Sequence, residues 1–438
     1  DYPSGKLTAS LIGVVNDQGV GSGGLESSLN SILSGTNGKY IYANGRGNII
    51  PGSEEIRVEA KSGTSIRLTI DRDVQWVAQN AISQAVASSK AKSGTVIVMD
   101  PKTGEILAQA SAPTFDPNIP SSITVDKLNN PSVQEVYEPG STGKVITVAA
   151  AMEEGLITPE TIFTIPYSMK VSDGVFRDHE KHPTQRLTTT GLLAVSSNTG
   201  SIKIGQKLGK DNLYKYLTKF GIGQSTNSKL PGESAGILHP VKDWSGTSLP
   251  TISFGQGYSL TAMQSTSVFA TIANNGVRVK PSILAGVVDE SGKYTPSAAN
   301  ESTRVLSEQT AINMRAMMEN VVSKNGTAPS AAIDGYRVAG KTGTAERYNT
   351  ACRCYSGYTA SFIGFAPADQ PKYVVSVTIQ DPKGMHWGGV LAGPVFKKVM
   401  GFVLQNQRIS PTPETKTFYS LTEAALKQRS KITPKSGA

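Results

Sequence analysis

Apolar positions along the chain follow two periods, and the changes between them outline its organisation. Val74, Val77, Ala81 and Ala85, with Ile82 and Val86 beside them, recur at spacings of three and four, the mark of one helical face. Asp71 stands just ahead and predicts an N-cap, while Leu68-Thr69-Ile70 before it predicts a strand. Two β-rich runs follow, Gly94-Thr95-Val96-Ile97-Val98-Met99 and Glu105-Ile106-Leu107-Ala108-Gln109-Ala110, around the turn Asp100-Pro101-Lys102-Thr103-Gly104, which predicts a hairpin. From about 116 to 330 the pattern is mostly helical with polar loops. Strand patterns return at Tyr336–Ala339, Tyr358–Phe365 and Tyr373–Ile379, and a last helix is expected from Pro394 to Leu404. The hairpin and the later strands share one sheet in this reading, with helices on its faces and a helical lobe inserted: an α/β fold class.

The two ends read differently. Residues 1–62 are rich in Gly, Ser and Asn, and only Leu25, Leu29 and Leu33, closed by Gly35, suggest a short helix. That is an accessory module without a core of its own. Beyond 406 the chain carries Pro411, Pro413 and many Lys and Thr, so residues 406–438 read as a flexible tail. The main domain is then 63–405.

Composition narrows the function. The 438 residues suit two or three domains, and 38% hydrophobic with 18% charged is ordinary for a globular protein. The net charge of +9 favours anionic partners, but no arginine-rich helix, zinc-finger spacing or aromatic-studded basic strand supports nucleic acid. No apolar run approaches the ~20 residues that span a bilayer, and no signal peptide is seen. Four histidines and two cysteines make no recognisable metal spacing, so no metal or other cofactor is expected. Cys352 and Cys354, two residues apart, either pair in an oxidising compartment or remain free thiols.

Three short motifs carry candidate chemistry. Glu138-Pro139-Gly140-Ser141-Thr142-Gly143-Lys144 leads into the apolar stretch from Val145 to Met152. Ser141 is then at a helix start and Lys144 lies on the same face, three residues on. A serine nucleophile needs a neighbouring base, and a desolvated lysine can serve. In Ser196-Ser197-Asn198, a hydroxyl and an amide at i, i+2 on a loop can face one cleft, Ser196 to relay a proton and Asn198 to hold a substrate amide. Lys341-Thr342-Gly343-Thr344 follows the strand Val338-Ala339-Gly340; its ammonium and hydroxyls suit a carboxylate, and the edge of a strand rich in glycine can pair with an extended peptide. Each motif alone is common. In this order and context, they are the signature of penicillin-binding proteins and class A β-lactamases.

The chain resembles class B penicillin-binding proteins well beyond those motifs. Tyr2-Pro3-Ser4-Gly5 and Gly24-Leu25-Glu26 are similar to the end of the family's N-terminal pedestal. Leu68-Thr69-Ile70-Asp71, Asp100-Pro101-Lys102-Thr103-Gly104-Glu105-Ile106, Tyr137-Glu138-Pro139-Gly140-Ser141 and Gly255-Gln256-Gly257 are similar to its transpeptidase domain. The resemblance implies an antiparallel five-stranded sheet flanked by helices. It implies acylation of Ser141 by the penultimate D-alanine of a peptidoglycan stem peptide, with loss of the last D-alanine. An acceptor amine then forms the cross-link, and β-lactams trap the serine. The backbone N–H groups of Ser141 and Thr344 would form the oxyanion hole.

Within the family, Leu230-Pro231-Gly232-Glu233-Ser234-Ala235-Gly236, Trp244-Ser245-Gly246 and Cys352-Arg353-Cys354-Tyr355 resemble the division-type (septal) branch, with the elongation-type branch second. Family members carry an N-terminal membrane helix and more pedestal than this chain holds. The expectation is therefore an extracytoplasmic, membrane-anchored ectodomain, partnered through the missing part by a glycan polymerase and divisome proteins. A class A β-lactamase would lack the N-terminal segment and would need a second, deacylating base. A bifunctional enzyme would need room for a glycosyltransferase domain, and a non-catalytic β-lactam sensor is disfavoured by the intact serine and lysines.

Overall fold

The computed structural model describes residues 1–50, 56–349, 352–413 and 419–432. Its centre is a five-stranded antiparallel sheet built from β1 (Ser93–Met99), β2 (Ile106–Ala112), β3 (Ala339–Asn349), β4 (Cys354–Ala366) and β5 (Tyr373–Gln380), in the spatial order β3-β4-β5-β1-β2. The α/β expectation holds, and β3 is an edge strand.

The strands read as continuous apolar runs because both faces are covered. Val96, Val98, Val375 and Val377 face α1 (Arg72–Ser89) and a C-terminal helix, Gly388–Asn406, while Ile97, Met99 and Val374 face the helical lobe. Alternation thus separates two cores of apolar side chains rather than core from solvent. Asp71 caps α1 as expected, its Oδ1 accepting from Asp73 N at 3.0 Å and Val74 N at 3.1 Å. Phe396 of the C-terminal helix packs edge-on against Phe362 of β4, with centroids 4.7 Å apart. Such a pair is worth about 0.5–1.5 kcal/mol beyond its buried area.

Several boundaries differ from the sequence reading. Residues Tyr336–Val338 lie outside β3, which starts at Ala339, so the lysine-threonine motif is inside the strand and not after it. The cause is chemical: β3 turns polar where it lines a cleft, so its apolar pattern stops as the strand begins. The C-terminal helix starts at Gly388, a turn and a half before the expected Pro394, which it accommodates internally. The middle segment is less helical than expected. It contains the ribbon Ile162–Ile165 with Gln185–Thr188 and the hairpin Ser168–Val171 with Gly174–Arg177. These strands are short and half-buried, too short for a period to register.

The expected helix through Leu25, Leu29 and Leu33 is two short helices, Gly24–Ser28 and Asn30–Leu33, broken at Leu29. Leu11, Leu25 and Leu29 bury into the same core as the helical lobe, so this stretch packs onto the main domain. The tail needs a larger correction. Thr188 N donates to Leu421 O at 3.1 Å, Thr188 Oγ1 donates to Ser420 O at 2.6 Å, and a helix, Glu423–Ile432, follows. Arg186 binds Glu423 at 2.8 Å, and Arg429 binds Glu160 at 3.0 Å. These contacts are hydrogen bonds and ion pairs, and an apolar pattern is blind to them. The rest of the tail reading, at 414–418 and 433–438, lies outside the described residues.

Candidate active site

Ser141 lies in the tight turn Gly140–Gly143, which runs without a break into α2 (Lys144–Glu153). The turn presses directly onto β3. A Cβ at Gly343 would lie 2.9 Å from Pro139 O, so any side chain there would push the Ser141 turn off the strand. Gly140 makes the matching approach at φ +54, where L side chains are strained, and a Cβ there would sit 2.9 Å from Ala345 Cβ.

Ser196 joins the helix Thr189–Ala194 to α3 (Asn198–Leu208) at φ +62, the left-handed region. Ser197 caps α3, its hydroxyl accepting from Gly200 N at 2.9 Å. The turn aims Ser196 and Asn198 at Lys144. The Lys144 amine donates to Ser196 O at 2.5 Å and Asn198 Oδ1 at 2.7 Å, with Ser196 Oγ at 3.2 Å. From the opposite side, Lys341 Nζ reaches Ser196 Oγ at 2.9 Å and the carbonyl and hydroxyl oxygens of Thr342, each at 3.2 Å. Two lysines, both 0% exposed, therefore converge on one hydroxyl.

Their protonation follows from burial. Burial pushes Lys144 down to about 7, against an upward pull from Asp178. Burial also pushes Lys341 well below the usual lysine range, with a further contribution from Lys144. Each amine faces three oxygen atoms. Burial therefore makes the neutral, proton-accepting form of Lys144 available near neutral pH.

A cleft of about 510 Å³ is lined by Ser141, Ser196, Thr342 and Thr344, with His179 and Trp387 among its walls. Ser141 is 6% exposed and opens onto it. Thr342 Oγ1 is 2.8 Å from Thr327 Oγ1, and Thr344 Oγ1 accepts from Gly388 N at 3.1 Å. All eight motif residues singled out in the sequence thus meet in one place. One detail differs from the helical-spacing argument: the described bonds of Lys144 go to Ser196 and Asn198, not to Ser141.

Cys352 and Cys354 are joined in a disulfide at the start of β4. The hydroxyl of the next residue, Tyr355, donates to Glu138 Oε1 at 3.2 Å. This ties the loop to the segment three residues ahead of Ser141.

Sequence reasoning missed Asp178, His179 and Trp387. Asp178 is the largest omission: its side chain is 8% exposed and accepts bonds from the Ser197–Thr199 turn. A lone Asp in a polar loop carries no pattern. The one available signal was the clustering of His179 and His182, two of the chain's four histidines, beside it.

Comparison with known proteins agrees with this geometry. The penicillin-binding protein transpeptidase domain matches residues 94–401. The chain is 40% identical over 425 residues to penicillin-binding protein PbpB of Mycolicibacterium smegmatis, covering 94% of this chain and 66% of that protein. It is 35% identical over 414 residues to peptidoglycan D,D-transpeptidase FtsI of Escherichia coli, covering 94% of this chain and 68% of that protein. The chain thus spans about two thirds of the length of these relatives. The crystal structure of penicillin-binding protein 3 from Mycobacterium tuberculosis complexed with aztreonam superposes with a TM-score of 0.87 at 36% identity, covering 96% of this chain and 93% of that one. With the fold, the motif geometry and these matches in agreement, the chain belongs to the penicillin-binding protein transpeptidase family, in its class B, division-type branch.

Proposed function

We propose that this protein is a serine D,D-transpeptidase that cross-links peptidoglycan stem peptides in septal wall synthesis and is acylated by β-lactams at Ser141. The observation that carries the reading is the convergence of two buried amines on Ser196 beside an accessible serine. The neutral Lys144 takes the Ser141 proton, directly or through Ser196, as Ser141 Oγ adds to the penultimate D-alanyl carbonyl. The Ser141 and Thr344 N–H groups hold the oxyanion. The proton passes through Ser196 to the departing D-alanine nitrogen, and the peptide bond breaks. An acceptor amine then attacks the ester, forms the new amide and returns Ser141 to its hydroxyl form. Asn198 holds the donor backbone, Lys341 and Thr342 hold its terminal carboxylate, and Gly343 lets the serine turn approach β3.

In the same reading, residues 63–405 form the catalytic domain and 1–62 the end of a pedestal. The protein works outside the cytoplasmic membrane, anchored to it, beside a glycan polymerase and cell-division proteins. A stem peptide ending in D-alanyl-D-alanine, incubated with an amine acceptor, tests the function. Release of D-alanine with the amide product in excess over the hydrolysed acid is expected. Hydrolysis alone, or no release, contradicts it.

Lys341→Ala is expected to weaken carboxylate-bearing donors more than their carboxyl-blocked analogues. A charge-assisted hydrogen bond is worth about 1.5–3 kcal/mol, roughly 10- to 100-fold. Acylation constants for a matched pair of ligands measure it, and equal losses for both would remove Lys341 from carboxylate recognition.

A further inference from the structure

We propose that Asp178 is a positioning residue for acyl transfer: it fixes the Ser196–Asn198 turn against Lys144, and its charge, balanced by His182, biases the protonation of that lysine. The inference rests on the function proposed above.

Asp178 follows the hairpin Ser168–Val171/Gly174–Arg177 and points its carboxylate at the start of α3. Its Oδ1 accepts from Asn198 N at 2.5 Å and Thr199 N at 2.9 Å, and its Oδ2 accepts from Ser197 Oγ at 2.7 Å. One carboxylate therefore collects three donors from three consecutive residues, two of them free N–H groups at a helix start where negative charge is favoured. The neighbouring carbonyl, Arg177 O, accepts from Asn198 Nδ2 at 2.9 Å. That bond decides which way the Asn198 amide faces. With Nδ2 engaged there, Oδ1 is the end presented to Lys144. The two residues thus hold both the backbone and the side chain of the motif. They do so next to Ser196, whose left-handed φ needs an external hold in a non-glycine residue.

The titratable groups that act on or beside Asp178 lie on more than one element. His182 Nε2 meets its Oδ2 at 3.0 Å, and His182 Nδ1 meets Pro183 O at 2.7 Å. With an acceptor at each ring nitrogen, the doubly protonated, cationic ring is the form that satisfies both contacts. Burial opposes that charge, but the bonds to Pro183 and Asp178 outweigh it and raise the histidine above its usual value. Lys144 acts on Asp178 from α2, while His179, next in the chain, is held below the usual histidine range by burial and then by Lys144 and Lys341. Asp178 makes no hydrogen bond to Lys144, yet it is the carboxylate that pulls this amine upward.

Two substitutions then shift one observable in opposite directions. Acylation needs neutral Lys144, so its rate rises with pH through the lysine's titration. Asp178→Asn removes the stabilising negative charge and moves that acid limb to lower pH. His182→Gln keeps a donor to Asp178 but removes the cation, so the carboxylate acts on Lys144 unopposed and the limb moves to higher pH. Asp178→Asn also loses the acceptor shared by Ser197 and His182, and the plateau rate should fall at least ~10-fold, the cost of a misaligned base.

The experiment is the pH profile of benzylpenicillin acylation for the wild type and both variants, with thermal melts to confirm folding. Opposed shifts with a lowered Asp178→Asn plateau support the proposal. Unshifted or same-direction limbs overturn it, whatever the plateau does. If Asp178→Asn does not fold, His182→Gln alone decides by the direction of its shift. A wild type that never labels at Ser141 would instead remove the function on which the proposal rests, a distinguishable result.

Discussion

Ser141→Ala is expected to leave a folded protein that forms no covalent adduct with benzylpenicillin. The loss is total because the acyl ester needs the hydroxyl oxygen, and neither Ser196 nor Thr344 occupies the turn that presents it. The cost to the fold should be small. Ser141 contributes its backbone to the turn on β3, while its side chain opens onto the cleft and the contacts that hold the turn belong to Gly140, Gly343 and Pro139. Replacing a cleft-facing hydroxyl by hydrogen creates no buried cavity and orphans no partner, so the change in stability should be within about 1 kcal/mol. Intact mass after drug treatment, beside a thermal melt, measures both halves. A folded variant that still labels at full stoichiometry would refute Ser141 as nucleophile.

Lys144→Ala should slow acylation at least ~10²-fold, the low end for a lost general base. The wild-type rate should rise as pH increases through about 7 and level off above it, because burial sets the Lys144 amine there and only its neutral form accepts a proton. In Lys144→Ala that limb should vanish and leave a slow, flatter profile. The substitution also leaves Ser196 O and Asn198 Oδ1 without their donor, so some loss of stability accompanies it. Stopped-flow acylation across pH separates the effects: lost stability alone does not erase a titration. Near-normal acylation with the limb intact would take Lys144 out of the mechanism.

The chemistry was more legible in this sequence than the architecture holding it. The three motifs are contiguous, and two of them have a local setting that their neighbours announce: Pro139-Gly140 before the Ser141 turn, and glycine in β3. The sheet was legible where both faces are buried, as in Val96-Ile97-Val98-Met99, and illegible where a strand lines the polar cleft, as in Lys341–Thr344. Asp178 was invisible because its importance lies in three donors that meet only after folding. The docking of residues 419–423 on Thr188 was invisible for the same reason, since backbone bonds leave no side-chain pattern. The disulfide was open in the sequence because spacing alone does not set whether Cys352 and Cys354 meet.

The fate of the acyl ester separates a transpeptidase from a β-lactamase. Hydrolysis needs a base that holds a water on the ester. Of the glutamates near the motifs, Glu135 is bound to Arg347 at 3.2 Å, and Glu138 accepts from Gly257 N at 2.9 Å and from Tyr355. Glu346 is exposed on β3. Glu180 lines the cleft but is exposed, with no described hydrogen bond to hold it toward Ser141. The ester should therefore outlast the drug. The most direct test is mass spectrometry of the protein after benzylpenicillin, with excess drug removed, the adduct mapped to a peptide and its decay followed. The expected result is one penicilloyl group per chain, on the peptide containing Ser141, persisting for many minutes to hours without an acceptor. An adduct on another residue, or unmodified protein regenerated within seconds, would contradict the assignment of Ser141 as the nucleophile of a transpeptidase.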